Sequence, residues 1–81
     1  MTEHTFPLTM ASPGKEYVVA GITAGWGLQR RLAEMGLTAG THVRIMNGRH
    51  SGPLLIEVRG SKLGLGYGAA QKIMVKEVRN G

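Results

Sequence analysis

The chain has 81 residues, enough for one domain, with 42% hydrophobic residues, no cysteine and a net charge of +5. This hydrophobic content supplies a thin core and excludes a disordered chain, while the lack of cysteine excludes disulfides and thiolate metal sites. No apolar stretch is long enough to span a bilayer, and the N-terminus lacks a signal-peptide pattern. We therefore expect a single cytoplasmic domain over residues 1–81 that is not embedded in a membrane.

The basic residues are spread along the sequence. Only Arg30 and Arg31 are adjacent, and the few aromatic residues form no run on which bases would stack. This distribution favours a generally basic surface over a nucleic-acid site. We expect no specific nucleic-acid partner, whereas a protein partner with an acidic surface suits the charge.

The first predicted strand follows a segment of little periodicity. Residues 1–7 are expected to form a flexible tail, and “SPG” at 12–14 marks a turn. “KEYVVAGI” at 15–22 is rich in strand-forming residues, with Gly21 at a bulge or a close approach of two backbones. “TAGWG” at 23–27 is expected to be a loop, which places Trp26 just before a helix.

“LQRRLAEM” at 28–35 predicts a short helix. Leu28, Leu32 and Met35 share one face at helical spacing. Arg30 and Glu34 are four residues apart and are expected to pair, while Arg31 lies at the edge of the apolar face. A helix this short requires packing against the rest of the fold.

Gly36 predicts where this helix ends. A glycine often occupies the left-handed position that follows a helix, because it lacks a Cβ. In the resulting Schellman cap, Leu37 contacts Leu32, and both are apolar. Gly40, in “TAG” at 38–40, is expected to complete the turn into the next strand.

The remaining sequence predicts three more strands, a helical turn and a final strand. “THVRIMN” at 41–47 and “LLIEVRG” at 54–60 alternate between apolar and outward residues. “SKLGLG” at 61–66 predicts a short strand, “YGAAQK” at 67–72 a helical turn, and “IMVKEV” at 73–78 the last strand. About five short strands with hairpin-like connections predict a mostly β fold, a small barrel with a short inserted α-helix.

The sequence offers little catalytic or metal-binding chemistry. It has no aspartate, its glutamates are dispersed and its serines lie in predicted turns, so we do not expect an enzyme. Among the histidines, His42 and His50 are weak candidates for metal ligands, because an extended chain would separate them by roughly 26 Å. We expect no required cofactor and at most weak binding of Fe²⁺ or Zn²⁺.

Trp26, Met46 and Leu55 are predicted to lie on the outside of the fold. One interpretation is an exposed apolar patch, flanked by Arg30 and Arg31, that binds a protein partner. The alternative is that the helix, or residues 1–12, covers them. The sequence favours neither over the other.

Most of residues 8–78 resemble the ferrous iron transport protein A (FeoA) family. The matching segments are “AGITAG” at 20–25, “RLAEMGLTAGTHVRIM” at 31–46, “GP” at 52–53 followed by “IEVRG”, and “AAQKIMV” at 69–75. The most specific element is R-L-x-x-x-G-L-x-x-G, and the motif positions taken as structural are Leu32, Gly36, Leu37, Gly40, Gly52, Pro53 and Ala70.

The resemblance implies an SH3-like β-barrel and a function as a cytosolic accessory of FeoB, a membrane Fe²⁺ transporter with a cytosolic G-domain. It implies a location in the cytoplasm, with recruitment to the inner face of the membrane by the transporter. The family is commonly described as binding transition metals. Two alternatives stay open: an SH3-like nucleic-acid-binding module and the C-terminal domain of a metalloregulator. Self-association is also left open.

Overall fold

A computed structural model describes residues 4–46 and 52–78. The strands are β1 (Phe6–Pro7), β2 (Glu16–Ile22), β3 (His42–Ile45), β4 (Leu54–Val58), β5 (Ser61–Leu65) and β6 (Ile73–Glu77). The helices are α1 (Trp26–Glu34) and α2 (Tyr67–Gln71), and a 3₁₀ turn spans Leu8–Met10. The predicted chain order is confirmed from β2 to β6, whereas β1 and the 3₁₀ turn are additional to the predicted elements.

The strands form one antiparallel sheet in the order β1-β6-β2-β3-β4-β5. The sheet is not closed, since β1 and β5 are its two edges. The register of β2 against β6 shifts between Val19 and Gly21, which confirms the predicted bulge. Such a bulge bends the strand. β2 pairs with β3 on one side and with β6 on the other.

Phe6 and Pro7 belong to the sheet. They pair with Val75 and Met74 of β6, and the Phe6 ring meets the Tyr17 ring edge-on at a centroid distance of 5.8 Å. The expectation that the flexible tail includes these two residues is therefore wrong. A strand of two residues carries no periodicity of its own and depends on β6 for its backbone hydrogen bonds.

The core is lined by alternate residues of the strands and is closed by the helices and the 3₁₀ turn. Leu8, Leu32 and Ala70 bring these three segments into the same cluster as the strand residues. Val43 and Ile45 of β3 point inward and His42 and Arg44 point outward, as the alternation predicts. None of the helices in the described ranges is long and apolar enough to cross a membrane.

The end of α1 has the predicted cap. Gly36 has φ +91°, its N–H donates to the Ala33 carbonyl at 2.9 Å, and the Leu37 N–H donates to the Leu32 carbonyl at 2.9 Å. These are the two hydrogen bonds of a Schellman motif. Leu32 and Leu37 are both buried, so the helix stop anchors two core residues at once.

A tight hairpin joins β4 to β5. Val58 pairs with Ser61, and the two residues between them, Arg59 and Gly60, have φ +52° and +83°. Positive φ at both central positions defines a type I′ turn, whose twist matches that of the strands. This geometry fixes which backbone groups of β5 face β4 and which face away.

Candidate functional site

The first exposed apolar surface lies at the start of α1. Trp26 is 74% exposed, and it is the first residue of α1, which begins two residues earlier than the helix predicted at 28–35. The Arg30 guanidinium lies 5.3 Å from the centroid of the Trp26 ring, within the range of a cation–π contact. Arg30 also pairs with Glu34 at 3.7 Å, as predicted from their spacing. We call Trp26, Arg30 and Arg31 the helix surface.

Hydrogen bonds from a side chain and from the backbone hold this end of the helix in place. Gly25 offers no side chain to cap the first turn. Instead, the Gln29 side-chain amide donates to the Ala24 carbonyl at 2.8 Å and to the Ile22 carbonyl at 3.4 Å. The Thr23 N–H donates to the Lys72 carbonyl at 2.8 Å. The loop that precedes Trp26 is therefore tied to the end of β2 at Ile22 and to Lys72, which lies between α2 and β6.

The second exposed apolar surface lies on the outer face of β3, β4 and β5. Met46 and Leu55 are 41% and 42% exposed, and the Met46 N–H donates to the Leu55 carbonyl at 2.9 Å. Leu55 lies opposite Gly64, whose missing Cβ would be 3.6 Å from Leu55 Cδ2 and 3.7 Å from Pro53 Cβ. We call Met46, Pro53, Leu55 and Gly64 the sheet patch.

The helix surface and the sheet patch lie at opposite ends of β2. The Gly14 N–H donates to the Ile45 carbonyl at 3.0 Å, so Met46 lies beside the start of β2. Trp26 instead follows the far end of that strand, beyond Ile22. Seven residues of strand cover roughly 20 Å. The single patch expected from Trp26, Met46 and Leu55 is therefore replaced by two separate surfaces. The assignment of these residues to partner binding stays a prediction.

Four charged residues on the outer face of the sheet are arranged in a row. Glu16 pairs in register with Arg44, Arg44 with Glu57, and Glu57 with Lys62. The four residues lie on adjacent strands and alternate in sign. Cross-strand neighbours of opposite charge stabilise a sheet, so this row suits a face in contact with water.

His42 extends this polar face and is engaged by a carboxylate. Its Nδ1 lies 2.6 Å from Glu16 Oε2, and Arg44 lies 3.6 Å from the other oxygen of Glu16. The hydrogen bond from His42, followed by the charges of His42 and Arg44, lowers the pKa of Glu16 below its usual 4.5, although some desolvation opposes the shift. The arrangement is a solvent-exposed pair with one added cation.

Metal ligation has little support in the described part of the chain. No group of three or more His, Asp, Glu or Cys side chains converges within residues 4–46 and 52–78. His50, the second candidate ligand, and most of the loop that carries it lie outside the described residues. The prediction of weak divalent-metal binding is neither confirmed nor contradicted and stays a prediction.

The structural motif positions within the described residues serve turns and packing. Gly40 and Gly52 have φ +91° and +104°, a region that favours glycine. Ala70 is fully buried on α2, where the 3₁₀ turn packs against that helix. Pro53, also a motif position, is exposed and belongs to the sheet patch.

Sequence reasoning missed three exposed apolar or aromatic side chains. One is Met35, which was predicted on the apolar face of α1 but follows the helix and is 39% exposed. Met10 is 63% and Tyr67 is 60% exposed, and both belong to the pair of segments that pack together at one end of the fold, the 3₁₀ turn and α2. Tyr67 stands between two glycines at the first position of α2, a pattern that offered a signal for exposure. Met10 offered none, because its turn has no periodicity.

Comparisons with known proteins agree on the family. The FeoA domain model matches residues 6–77. A protein of Methanocaldococcus jannaschii, whose provisional name is Fe(2+) transport protein A, is 37% identical over 76 residues, which cover 94% of this chain and 92% of that protein.

Solved structures show the same fold. An iron uptake regulatory protein (FeoA) has a TM-score of 0.85 and 31% identity, with 93% of this chain and 100% of that chain covered. Stenotrophomonas maltophilia FeoA, solved in complex with zinc and described as an SH3 domain protein, has a TM-score of 0.77 and 26% identity, with 88% and 89% covered. The SH3-like fold expected from the sequence is confirmed. The chain belongs to the FeoA family of ferrous iron transport.

Proposed function

We propose that the chain is a cytosolic accessory protein that binds and modulates a FeoB-type Fe²⁺ transporter through the cytosolic, G-domain-containing part of that transporter. The proposal assigns it no catalytic step and no required cofactor. Family membership supports a role in ferrous iron transport, and the exposed helix surface supports a role in protein binding.

The observation that carries this proposal is the exposure of Trp26. Tryptophan is the residue type most enriched at interface hot spots, and the chain's single tryptophan is 74% exposed. Its ring already has a cation–π contact with the Arg30 guanidinium, which lowers the entropy cost of ordering both side chains on binding. In a chain of net charge +5, such an anchor fits an acidic partner surface.

The sheet patch supplies a second, separate contact in this proposal. Met46 and Leu55 are exposed apolar residues on a face that otherwise carries charges of alternating sign. An extended partner, or two regions of one partner, would reach both surfaces. Recruitment by such contacts would bring the chain to the inner face of the membrane.

The test is a titration of the full chain with the cytosolic part of a cognate transporter. Trp26→Ala should weaken binding by more than about 1 kcal/mol, because it removes the anchor. Tyr67→Ala is the matched control, since Tyr67 is also an exposed aromatic residue at the first position of a helix. Arg30→Glu should slow association and flatten its dependence on salt, whereas Arg59→Glu makes the same change of net charge in the turn between β4 and β5.

Two results would contradict the proposal in different ways. No binding by the parent chain would reject the transporter as partner. Unchanged binding by folded Trp26→Ala, Met46→Ala and Leu55→Ala variants would reject these two surfaces and leave the partner intact. Circular dichroism and thermal unfolding establish that each variant is folded.

A further inference from the structure

The open edge of β5 exposes a defined set of backbone groups. In a type I′ hairpin the residues that flank the turn form a hydrogen-bonded pair, here Val58 and Ser61. Such pairs alternate along an antiparallel ladder, so Leu63 and Leu65 also direct their N–H and C=O groups towards β4. Lys62 and Gly64 must then direct theirs away from the sheet.

A hydrogen bond on the other side of β4 agrees with this assignment. Leu55 faces Gly64 in a pair without mutual hydrogen bonds, so its carbonyl must point towards β3. The Leu55 carbonyl does accept the Met46 N–H, at 2.9 Å. Lys62 and Gly64 are themselves exposed, so the edge is accessible to a further strand.

The outer face specifies what such a strand would carry opposite Lys62. The row Glu16, Arg44, Glu57, Lys62 alternates in sign across four strands. The next position in this row lies beside Lys62, beyond the edge of the sheet. An acidic side chain there would continue the alternation, because oppositely charged cross-strand neighbours attract.

The neighbouring row specifies an apolar residue opposite Gly64. Met46 directly follows β3 and donates its N–H to Leu55 of β4, and Leu55 lies opposite Gly64 of β5. Gly64 has no side chain to cover Leu55 or Pro53. A partner side chain next to Gly64 would lie over these exposed carbons. The missing Cβ of Gly64 thus leaves room for a side chain from the neighbouring strand.

We propose that the edge of β5 binds an extended peptide segment of a partner protein as an additional antiparallel strand. The segment has the order apolar-x-acidic, with its apolar residue opposite Gly64 and its acidic residue opposite Lys62. Both of these residues exchange backbone hydrogen bonds with β5, and the residue between them turns its own N–H away. This surface is distinct from the helix surface, and its use does not depend on the identity of the transporter.

The test uses a synthetic peptide, acetyl-Thr-Thr-Leu-Val-Glu-Thr-Thr-amide, titrated into the full chain and followed by amide chemical shifts and hydrogen exchange. We expect shifts centred on β5 and slower exchange of the Lys62 and Gly64 amides. N-methylation of the peptide's Leu or Glu nitrogen should weaken binding at least about tenfold, since it removes a donor to β5. N-methylation of the Val nitrogen is the matched control and should have little effect.

A charge exchange tests the side-chain rule separately. Lys62→Glu should weaken binding of this peptide and favour a peptide with Lys in place of Glu, whereas Lys72→Glu should do neither. Equal effects of the three N-methylations, or shifts away from β5, would overturn the proposal. Tighter binding of the reversed order, Glu-Val-Leu, would overturn the antiparallel arrangement. Protection of the Lys62 and Gly64 amides that rises with protein concentration, without peptide, would identify a second copy of the chain as the occupant and also overturn it.

Discussion

Gly36 ends α1 through its backbone conformation and not through a shortage of space. At φ +91° it lies in a region that residues with a Cβ rarely adopt. A Cβ placed there would meet only Val58 Cγ1, at the ordinary contact distance of 4.0 Å. The Gly36 carbonyl also accepts a hydrogen bond from the buried Thr41 hydroxyl at 3.2 Å, which ties the stop to the start of β3.

Gly36→Val should therefore lower the free energy of unfolding by about 1–3 kcal/mol, because a β-branched residue is strained at positive φ. Gly36→Asn is the matched control and should cost less, since asparagine tolerates this conformation better. The denaturant midpoints of the two variants and the parent give both changes in the free energy of unfolding, provided that the m-value stays the same. Equal midpoints for the valine variant and the parent would contradict the conformational account.

Among the elements, the hairpin between β4 and β5 has a residue that suits its turn poorly. Arg59 has φ +52° and is the only non-glycine residue of the described ranges with a positive φ. Asparagine followed by glycine is the preferred sequence of a type I′ turn, and Gly60 is already in place. The hairpin thus keeps its register through the strand pairs and Gly60, against the preference of Arg59.

We expect Arg59→Asn to raise the free energy of unfolding by up to about 1 kcal/mol, because the left-handed conformation costs asparagine less than arginine. Arg59→Gln removes the same charge without this conformational gain and should leave stability nearly unchanged. Chemical denaturation of the three proteins compares them directly. A gain shared by both variants would assign the effect to charge instead of to the turn.

The elements that sequence reasoning located carry local signals. Gly36 with Leu37 marks the end of α1, and the alternation around Val43 marks β3, because both depend on neighbours a few residues away. β1 carries no such signal, since Phe6 and Pro7 are strand residues only through their pairing with β6. The SH3-like fold was also accessible from the family motif, which spans several elements.

The candidate site was accessible only in part. The alternation of apolar and polar residues predicts which face of the sheet Met46 and Leu55 occupy, and the helical pattern predicts that Trp26 lies near α1. These two patterns do not predict at which end of β2 each residue lies, because that depends on the strand register and on the Gly14–Ile45 hydrogen bond. The charged row was hidden for the same reason, since Glu16 and Lys62 are distant in sequence and each row member is assigned by pairing.

At the scale of the whole molecule, the excess of basic residues is interrupted on the outer face of the sheet. Glu57 separates Arg44 from Lys62, and Glu16 lies on the other side of Arg44. The Lys15 ammonium lies 3.4 Å from the Glu77 carboxylate. Nucleic-acid surfaces instead cluster cations along a groove or a helix. On this face, the described cations thus form no uninterrupted cluster.

Binding to DNA or RNA should accordingly be weak and strongly dependent on salt, because only diffuse charge attracts the phosphates. Fluorescence anisotropy with labelled duplex and single-stranded oligonucleotides at two or more salt concentrations measures this. Sequence-specific, submicromolar binding at physiological salt would favour the nucleic-acid-binding alternative over the transport role. A scrambled oligonucleotide of equal length and charge is the control.

The pairing of β2 with β6 joins two strands that are far apart in the sequence. β2 lies near the beginning of the sequence and β6 near its end, yet Val19 pairs with Val75 and Ile22 with Ile73. Contacts of such high sequence separation slow folding, because the long intervening loop must close before they form. The β3–β4–β5 meander consists of neighbours and can form early. During synthesis, the strands β1 and β2 must therefore wait for the last strand to leave the ribosome, and until then they have no partner on that side.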